Sequence, residues 1–284
     1  MDLAKFTGTS AFGRAYQIML ERDTHASGSV DRVLTARMVR LCPQTAGYLY
    51  SSFTPLDIRY TWGTRPTLEA ILGSLTRSGS GADEQLAAIV AFTQGLGKNA
   101  EPDPKKMRFG GTEEEIIERG SDWCTDIARV ACVLCQLAGL PARIVNLFDL
   151  NQAYSGHVII EAYRAGCWGA LDSSTGIVYT TADGTPSSIW DLMRKPELIE
   201  AHRRNPSAFY STPGQFCAAG IANYTVWESH HYDYHVAGIN DYCLSILSMS
   251  GNGWPGGLRW LHGENGEEGE PRGAWSLNLP LGMR

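Results

Sequence analysis

Lysine is nearly missing from this chain: five residues (positions 5, 98, 105, 106 and 195) stand against nineteen arginines. That skew is read as coding bias, not as a binding signature. Basic charge is also in deficit, with 24 basic against 30 acidic side chains and a net charge of −6. A duplex-binding protein needs the opposite balance to displace counterions, so nucleic acid is excluded as an expected partner. No run of 18 or more apolar residues occurs, so no membrane-spanning helix is expected. The first residues, MDLAKFTGTSAFGRAY, carry no continuous apolar stretch of the secretory kind. Seven cysteines is an odd number, in a chain of 284 residues that does not depend on disulfide staples. A reducing, cytoplasmic setting is the expectation. Charged residues are scarce as well, at 19% against a usual ~25%. With 43% hydrophobic residues, that scarcity excludes a disordered chain, and the length suffices for one closed core. There is no internal repeat.

What is present has a clear order. Ser74–Ala82 (SLTRSGSGA) and Lys98–Gly111 read as loops. Between them Leu86, Ile89, Val90 and Phe92 fall at helical spacing over Asp83–Leu96. Thr112 and Glu115 form a capping-box pattern for a short helix through Arg119, stopped by Gly120. A second helix is expected from Ser121 or Asp122, either of which could cap it, through about Gln136. Its apolar residues, among them Ile127, Val130, Ala131, Val133 and Leu134, leave almost no polar side, so it should be buried. Gly139 and Pro141 end it. The period then becomes two, giving strands at Ile144–Phe148, His157–Tyr163 and Cys167–Asp172. Asp191–His202 reads as a helix and Phe216–Val226 as a strand. Gly251–Arg284, rich in glycine and glutamate, reads as an extended, solvated tail.

Three chemically capable residues occupy telling places in the helix–strand–strand unit. Cys124 lies in the first turn of the buried helix, His157 opens the second strand and Asp172 closes the third. The positive end of a helix dipole favours thiolate over thiol. The unpartnered amides of the first turn can hold a developing oxyanion. His157 could take and return the thiol proton, and Asp172 could fix the imidazole tautomer. If Tyr163–Gly166 form a four-residue loop, Ala162 pairs with Cys167 and His157 lies directly opposite Asp172, on one face. A three-residue loop would instead put them on opposite faces. Cys132 and Cys135, mid-helix and without a second ligand pair, read as core residues and not as a zinc site.

The stretches GSDWCTDIARVACVLCQLAGLPARIV and SGHVIIEAYRAGCWGALDSS resemble the transglutaminase-like superfamily, whose core is a papain-like cysteine–histidine–aspartate site. The resemblance runs over about residues 110–175. It implies Cys124 as nucleophile, His157 as base and Asp172 as orienting acid. Two positions depart from the family pattern: Ser173 stands where many members have proline, and Trp123 where glycine precedes the nucleophile. Trp123 could narrow the approach to the thiol. Thr125–Arg129 and IANYTVWESHHYDYH are similar to a subgroup from bacterial biosynthetic clusters. The family also implies a second oxyanion donor beside the Cys124 amide. Trp62 has a suitable indole N–H, although a packed tryptophan is the plainer reading. His230, His231 and His235 with Asp233 fix no ligand geometry. Trp123, Tyr232 and Asp233 are instead expected to border the substrate. No metal and no cofactor is expected. Arg143 should make a structural salt bridge.

The expected fold is α+β and papain-like, the Cys124 helix packed on an antiparallel sheet, with further helices from the first hundred residues. One catalytic domain spans 1–250, its core at about 83–180, followed by the 251–284 tail. Three functions are open. The first is acyl transfer through an acyl-thioester on Cys124, from a small-molecule or peptide acyl donor to a small amine. The second is a peptidase or amidase with water as acceptor. The third is a non-catalytic module binding peptide or glycan. The complete cysteine–histidine–aspartate set argues against the third. Trp123 and the biosynthetic resemblance tilt the first two toward transfer.

Overall fold

A computed structural model describes residues 39–41, 43–50, 60–101, 110–148, 155–204 and 218–226. Tyr232, Asp233, the three neighbouring histidines and the 251–284 tail lie outside the described residues. The elements in chain order are β1 (Val39–Leu41), α1 (Pro43–Leu49), α2 (Pro66–Leu75), α3 (Ala82–Gly95), α4 (Glu113–Arg119) and α5 (Cys124–Leu137). The strands β2 (Ala142–Phe148), β3 (Ser155–Arg164), β4 (Cys167–Asp172) and β5 (Ile177–Val178) follow. After them come α6 (Ile189–Arg194), α7 (Glu200–Arg204) and β6 (Ala218–Ala222). All strands join one antiparallel sheet in the order β1-β6-β2-β3-β4-β5.

Both faces of the sheet are covered. On one, Ile144, Val158, Ile160, Ala162 and Leu171 pack against α5, which is backed by α2, α3 and α4. On the other, Val145, Leu147, Ile159, Ala170 and Ile221 pack against α1 and α6. The period of two expected for these strands is incomplete: two-sided burial makes successive positions apolar, as at Ile144–Val145 and Val158–Ile160. Arg143, one of the buried polar residues of these strands, pairs across β2–β3 with Glu161 at 2.7 Å and stacks on the Trp168 ring at 3.9 Å. A buried guanidinium is tolerated because its charge and its flat face both find partners. Every residue of α5 after Cys124 is buried. Each of its fully buried valines and leucines stabilises the fold by roughly 1.5–3 kcal/mol, so the helix that starts at Cys124 is an anchored element.

Three expectations need correction. The β3–β4 connection is the two-residue turn Ala165–Gly166, with φ of 51° and 81°, and it pairs Arg164 with Cys167. Positive φ at both positions matches the twist of the flanking strands better than a four-residue loop does. The register is therefore two residues from that expected. His157 and Asp172 remain on one face, but as diagonal neighbours and not as a directly opposed pair. Next, the expected helix over Asp191–His202 is broken into α6, a 3-10 turn at Pro196–Leu198 and α7. Pro196 supplies no amide to continue the ladder. Finally, the first hundred residues contribute an edge strand, β1, besides their helices.

Gly169 in β4 shows how tightly this sheet is covered. A Cβ there would lie 2.6 Å from Pro186 Cβ and 2.8 Å from Arg164 Nη1. The proline ring cannot swing aside. Gly169→Ala is expected to destabilise the protein by about 1–3 kcal/mol, measurable in urea; an unchanged midpoint would show that this contact is loose.

Candidate active site

The site forms where α5 begins and where β3 starts and β4 ends. Cys124 is the first residue of α5, half-buried, with Trp123 as the N-cap residue. The cap differs from expectation. Neither Ser121 nor Asp122 caps the helix: the Ser121 hydroxyl accepts the Trp123 N–H at 3.1 Å, two residues on. Serine in this position closes a local turn ahead of the helix. The first i→i−4 bond of α5 runs from Ile127 N–H to the Trp123 carbonyl. Among the described residues, the amides of Cys124, Thr125 and Asp126 thus precede the helical ladder, as at any helix start.

His157 arrives from β3 beside a bulge: Leu147 pairs with His157 but Phe148 pairs with Ser155, leaving Gly156 extra. A bulge re-aims the neighbouring side chain. His157 Nε2 lies 3.1 Å from Asp172 Oδ2, and the ring also hydrogen-bonds Cys124. With Nε2 on the carboxylate, Nδ1 is the nitrogen that faces the thiol. The other Asp172 oxygen, Oδ1, accepts the amides of Ser174 at 3.0 Å and Thr175 at 3.2 Å. Asp172 is fully buried, and these bonds allow a carboxylate to stay there.

Burial alone would push the His157 imidazole down. Hydrogen bonds to Asp172 and Cys124, and attraction to both, outweigh it and hold His157 up at about 10. Burial would raise Asp172, but the His157 bond and charge, with the Thr175 hydroxyl and amide, hold it below its ordinary value. The pair is an imidazolium and a carboxylate near neutral pH.

Stability should follow. The His157 contribution is complete below the ordinary value of 6.5 and is lost as the pH rises through about 10. Asp172, lowered on folding, contributes above its ordinary 3.8, and that contribution is lost on acidification. The melting-temperature deficit of His157→Ala is therefore expected to shrink from neutral pH toward pH 10. A constant deficit over that range would contradict a protonated ring.

The structure thus brings Cys124, His157 and Asp172 together. It does not bring Trp62 into this buried group. Trp62 is 62% exposed, set edge-on to Tyr60 with ring centroids 5.9 Å apart, so it is not a packed core tryptophan either. Trp123, the residue before Cys124, is half-buried. Cys132 and Cys135 are fully buried, and burial pushes both thiols up, Cys135 to about 12.

Several supporting residues were not foreseen. Asp126, buried two residues after Cys124, accepts the Gly110 amide, Ser121 Oγ at 3.1 Å and Arg119 Nη2 at 2.7 Å. Glu113 is fully buried and accepts Arg65 Nη2 at 2.8 Å, Arg129 Nη2 at 2.9 Å and the Tyr224 hydroxyl. Burial would raise Glu113, yet the charges of Arg129 and Arg65 hold it below its ordinary value. Gln136 Nε2 donates to the carbonyls of Ala142 and Tyr224, both at 2.8 Å, stapling the segment after β6 to the helix. Polar residues on the mostly apolar α5, among them Asp126, Arg129 and Gln136, were the available sequence signal, since a buried polar group demands partners.

Residues 73–173 match the family model of the transglutaminase-like superfamily. That span runs from the end of α2 to the residue after Asp172 and includes all three site residues. The fold is transglutaminase-like: helices on an antiparallel sheet, with the Cys124 helix central. No curated protein matches the chain. Among solved structures, a candidate cysteine protease from Cytophaga hutchinsonii is 19% identical, with a TM-score of 0.32 and 52% of each chain covered. The chain therefore spans about half the length of that protein. Among the described residues, no helix is long and apolar enough to cross a membrane. The arrangement supports cysteine-dependent catalysis.

Proposed function

We propose that the protein is a cysteine-dependent acyltransferase that forms an acyl-thioester on Cys124 and passes the acyl group to a small amine. The observation that carries this reading is the chain Cys124–His157–Asp172, with the imidazole bonded to both neighbours. A protonated His157 stabilises a thiolate beside it and can deliver its proton to the leaving group of the donor. In the second half-reaction the neutral imidazole takes a proton from the incoming amine, the nitrogen attacks the thioester carbon, and the C–S bond breaks. The first-turn amides of α5 are suited to hold the oxyanion in both halves.

Transfer is preferred over hydrolysis because His157 is buried and Cys124 half-buried, which restricts water at the thioester. Trp123, Tyr232 and Asp233 are the proposed substrate-facing residues. The resemblance of Thr125–Arg129 to proteins of bacterial biosynthetic clusters fits a cytoplasmic enzyme acting on a small-molecule or peptide donor, without nucleic acid, membrane or cofactor.

The test is a panel of acyl-thioester and amide donors, each with and without a small primary amine, read by intact mass and by product analysis. The expected result is an acyl adduct mapping to Cys124 and discharged faster by amine than by water. Discharge to free acid at a rate indifferent to amine would make the protein a hydrolase.

The thiol itself can be examined without a substrate. Iodoacetamide near neutral pH is expected to label Cys124 well before Cys132 or Cys135, whose thiols burial has raised. His157→Ala should slow that labelling by removing the ion-pair partner. Equal labelling of all three cysteines in peptide maps would contradict the assignment.

A further inference from the structure

We infer that Ser121, held by Asp126, is a positioning residue that aims the oxyanion-donating peptide of the nucleophile. The inference rests on the acyl-thioester reading above. The geometry begins with the approach segment to α5. Gly120 takes a φ of +74°, and a Cβ there would lie 2.7 Å from the Asn99 backbone. The Ser121 amide donates to the Leu96 carbonyl at 3.2 Å. The segment is therefore pressed onto the turn after α3 and cannot shift as a unit.

From that fixed point the Ser121 hydroxyl makes two bonds. It donates to Asp126 Oδ2 at 3.1 Å and accepts the Trp123 N–H at 3.1 Å. Asp126 is itself held from several sides: both its oxygens face the Gly110 amide, at 3.1 and 3.2 Å. Arg119 Nη2 lies 2.7 Å from Oδ2, and Arg129 Nη1 lies 3.6 Å from Oδ1.

Trp123 is thus tied at both ends. Ser121 holds its N–H, and its carbonyl accepts Ile127 N–H at 3.1 Å. In a trans peptide the C=O and the following N–H point in opposite directions. The Trp123 carbonyl points along the helix, so the Cys124 N–H points out of its N-terminus, beside its own thiol. Removing the Ser121 hydroxyl removes this tie on the N-terminal side of the residue and lets the peptide tilt.

An oxyanion donor matters to acylation and not to simple alkylation of the same sulfur, which separates positioning from general stability. The acyl probe is p-nitrophenyl acetate. Cys124 Sγ bonds to the acetyl carbon, the ester C–O bond breaks, and its electron pair leaves with p-nitrophenolate. In Ser121→Ala the burst rate constant is expected to fall about 10–100-fold, less than complete loss of a donor costs. Iodoacetamide labelling of Cys124 in the same variant is expected to stay within about twofold, since it needs the thiolate alone. Ser121→Thr, which keeps the hydroxyl, should restore most of the burst rate.

Loss of both reactions in parallel, retention of both, or a threonine variant as slow as alanine would overturn the inference. If wild-type protein shows no acetyl adduct on Cys124, the acyl-thioester reading falls and takes this inference with it. A wild-type adduct with an unaffected Ser121→Ala burst removes the inference alone.

Discussion

Cys124→Ala is expected to lower turnover by about 10⁴-fold or more, on the precedent that removing a nucleophile abolishes its unit's contribution, while the protein melts close to wild type. The structural cost is small because alanine is an excellent first-turn residue and Cys124 is only half-buried at the edge of the first core cluster. A second consequence is specific to this geometry. The Cys124 hydrogen bond and charge help to hold the His157 imidazole up, with Asp172 contributing more. In Cys124→Ala the His157 titration, followed by NMR of the ring protons, should move down from about 10 without returning to 6.5, because Asp172 stays in place. Activity near the wild-type level on a donor established by the mass screen would overturn the mechanism. An unmoved His157 titration would show that ring and thiol do not interact.

The parts of this site that sequence revealed are those set by local rules. The Thr112–Glu115 capping box is formed on both sides, with Thr112 Oγ1 accepting the Glu115 amide and Glu115 accepting the Thr112 amide. The continuous apolar surface of α5 corresponds to a helix buried from Thr125 onward, and the third strand has the expected bounds, Cys167–Asp172. What escaped depended on partners far along the chain. Glu113 reads as one of three first-turn glutamates, each suited to a helix start. Only the folded chain shows it fully buried between Arg65, Arg129 and Tyr224, while Glu115 serves the cap. Ser121 carries a capping residue's chemistry but uses it on the amide two residues on, a choice settled by the pressure of Leu96 and Asn99 on the segment. The hairpin register was open for a similar reason. Ala165 does not advertise positive φ as glycine or asparagine would, so the two-residue turn was hidden in YRAGC.

Asp172→Asn is expected to lower kcat by roughly 10²–10⁴-fold, the upper end being the serine-protease precedent and the lower end suiting a cysteine, which depends less on its base. The direction follows from which oxygen does what. Oδ1 is held by the Ser174 and Thr175 amides, both donors, so the asparagine side chain must keep its oxygen there. Its NH₂ then replaces Oδ2 and faces His157 Nε2, now 3.1 Å from a carboxylate oxygen. Two donors cannot share that bond, so Nε2 must give up its proton and the neutral ring carries its hydrogen on Nδ1, toward the sulfur. That tautomer cannot accept a proton from the thiol, and the imidazolium that would stabilise a thiolate loses its counter-charge. The kinetic signature is a fall in kcat with KM little changed, and a His157 titration moved down. The fold should hold, because the Ser174 and Thr175 bonds survive. Glycine or alanine at the same position would remove both sets of bonds and confuse the two roles. An Asp172→Asn protein that unfolds, or that folds and turns over at the wild-type rate, would make Asp172 a residue of the β4 terminus and leave Cys124 and His157 to act as a pair.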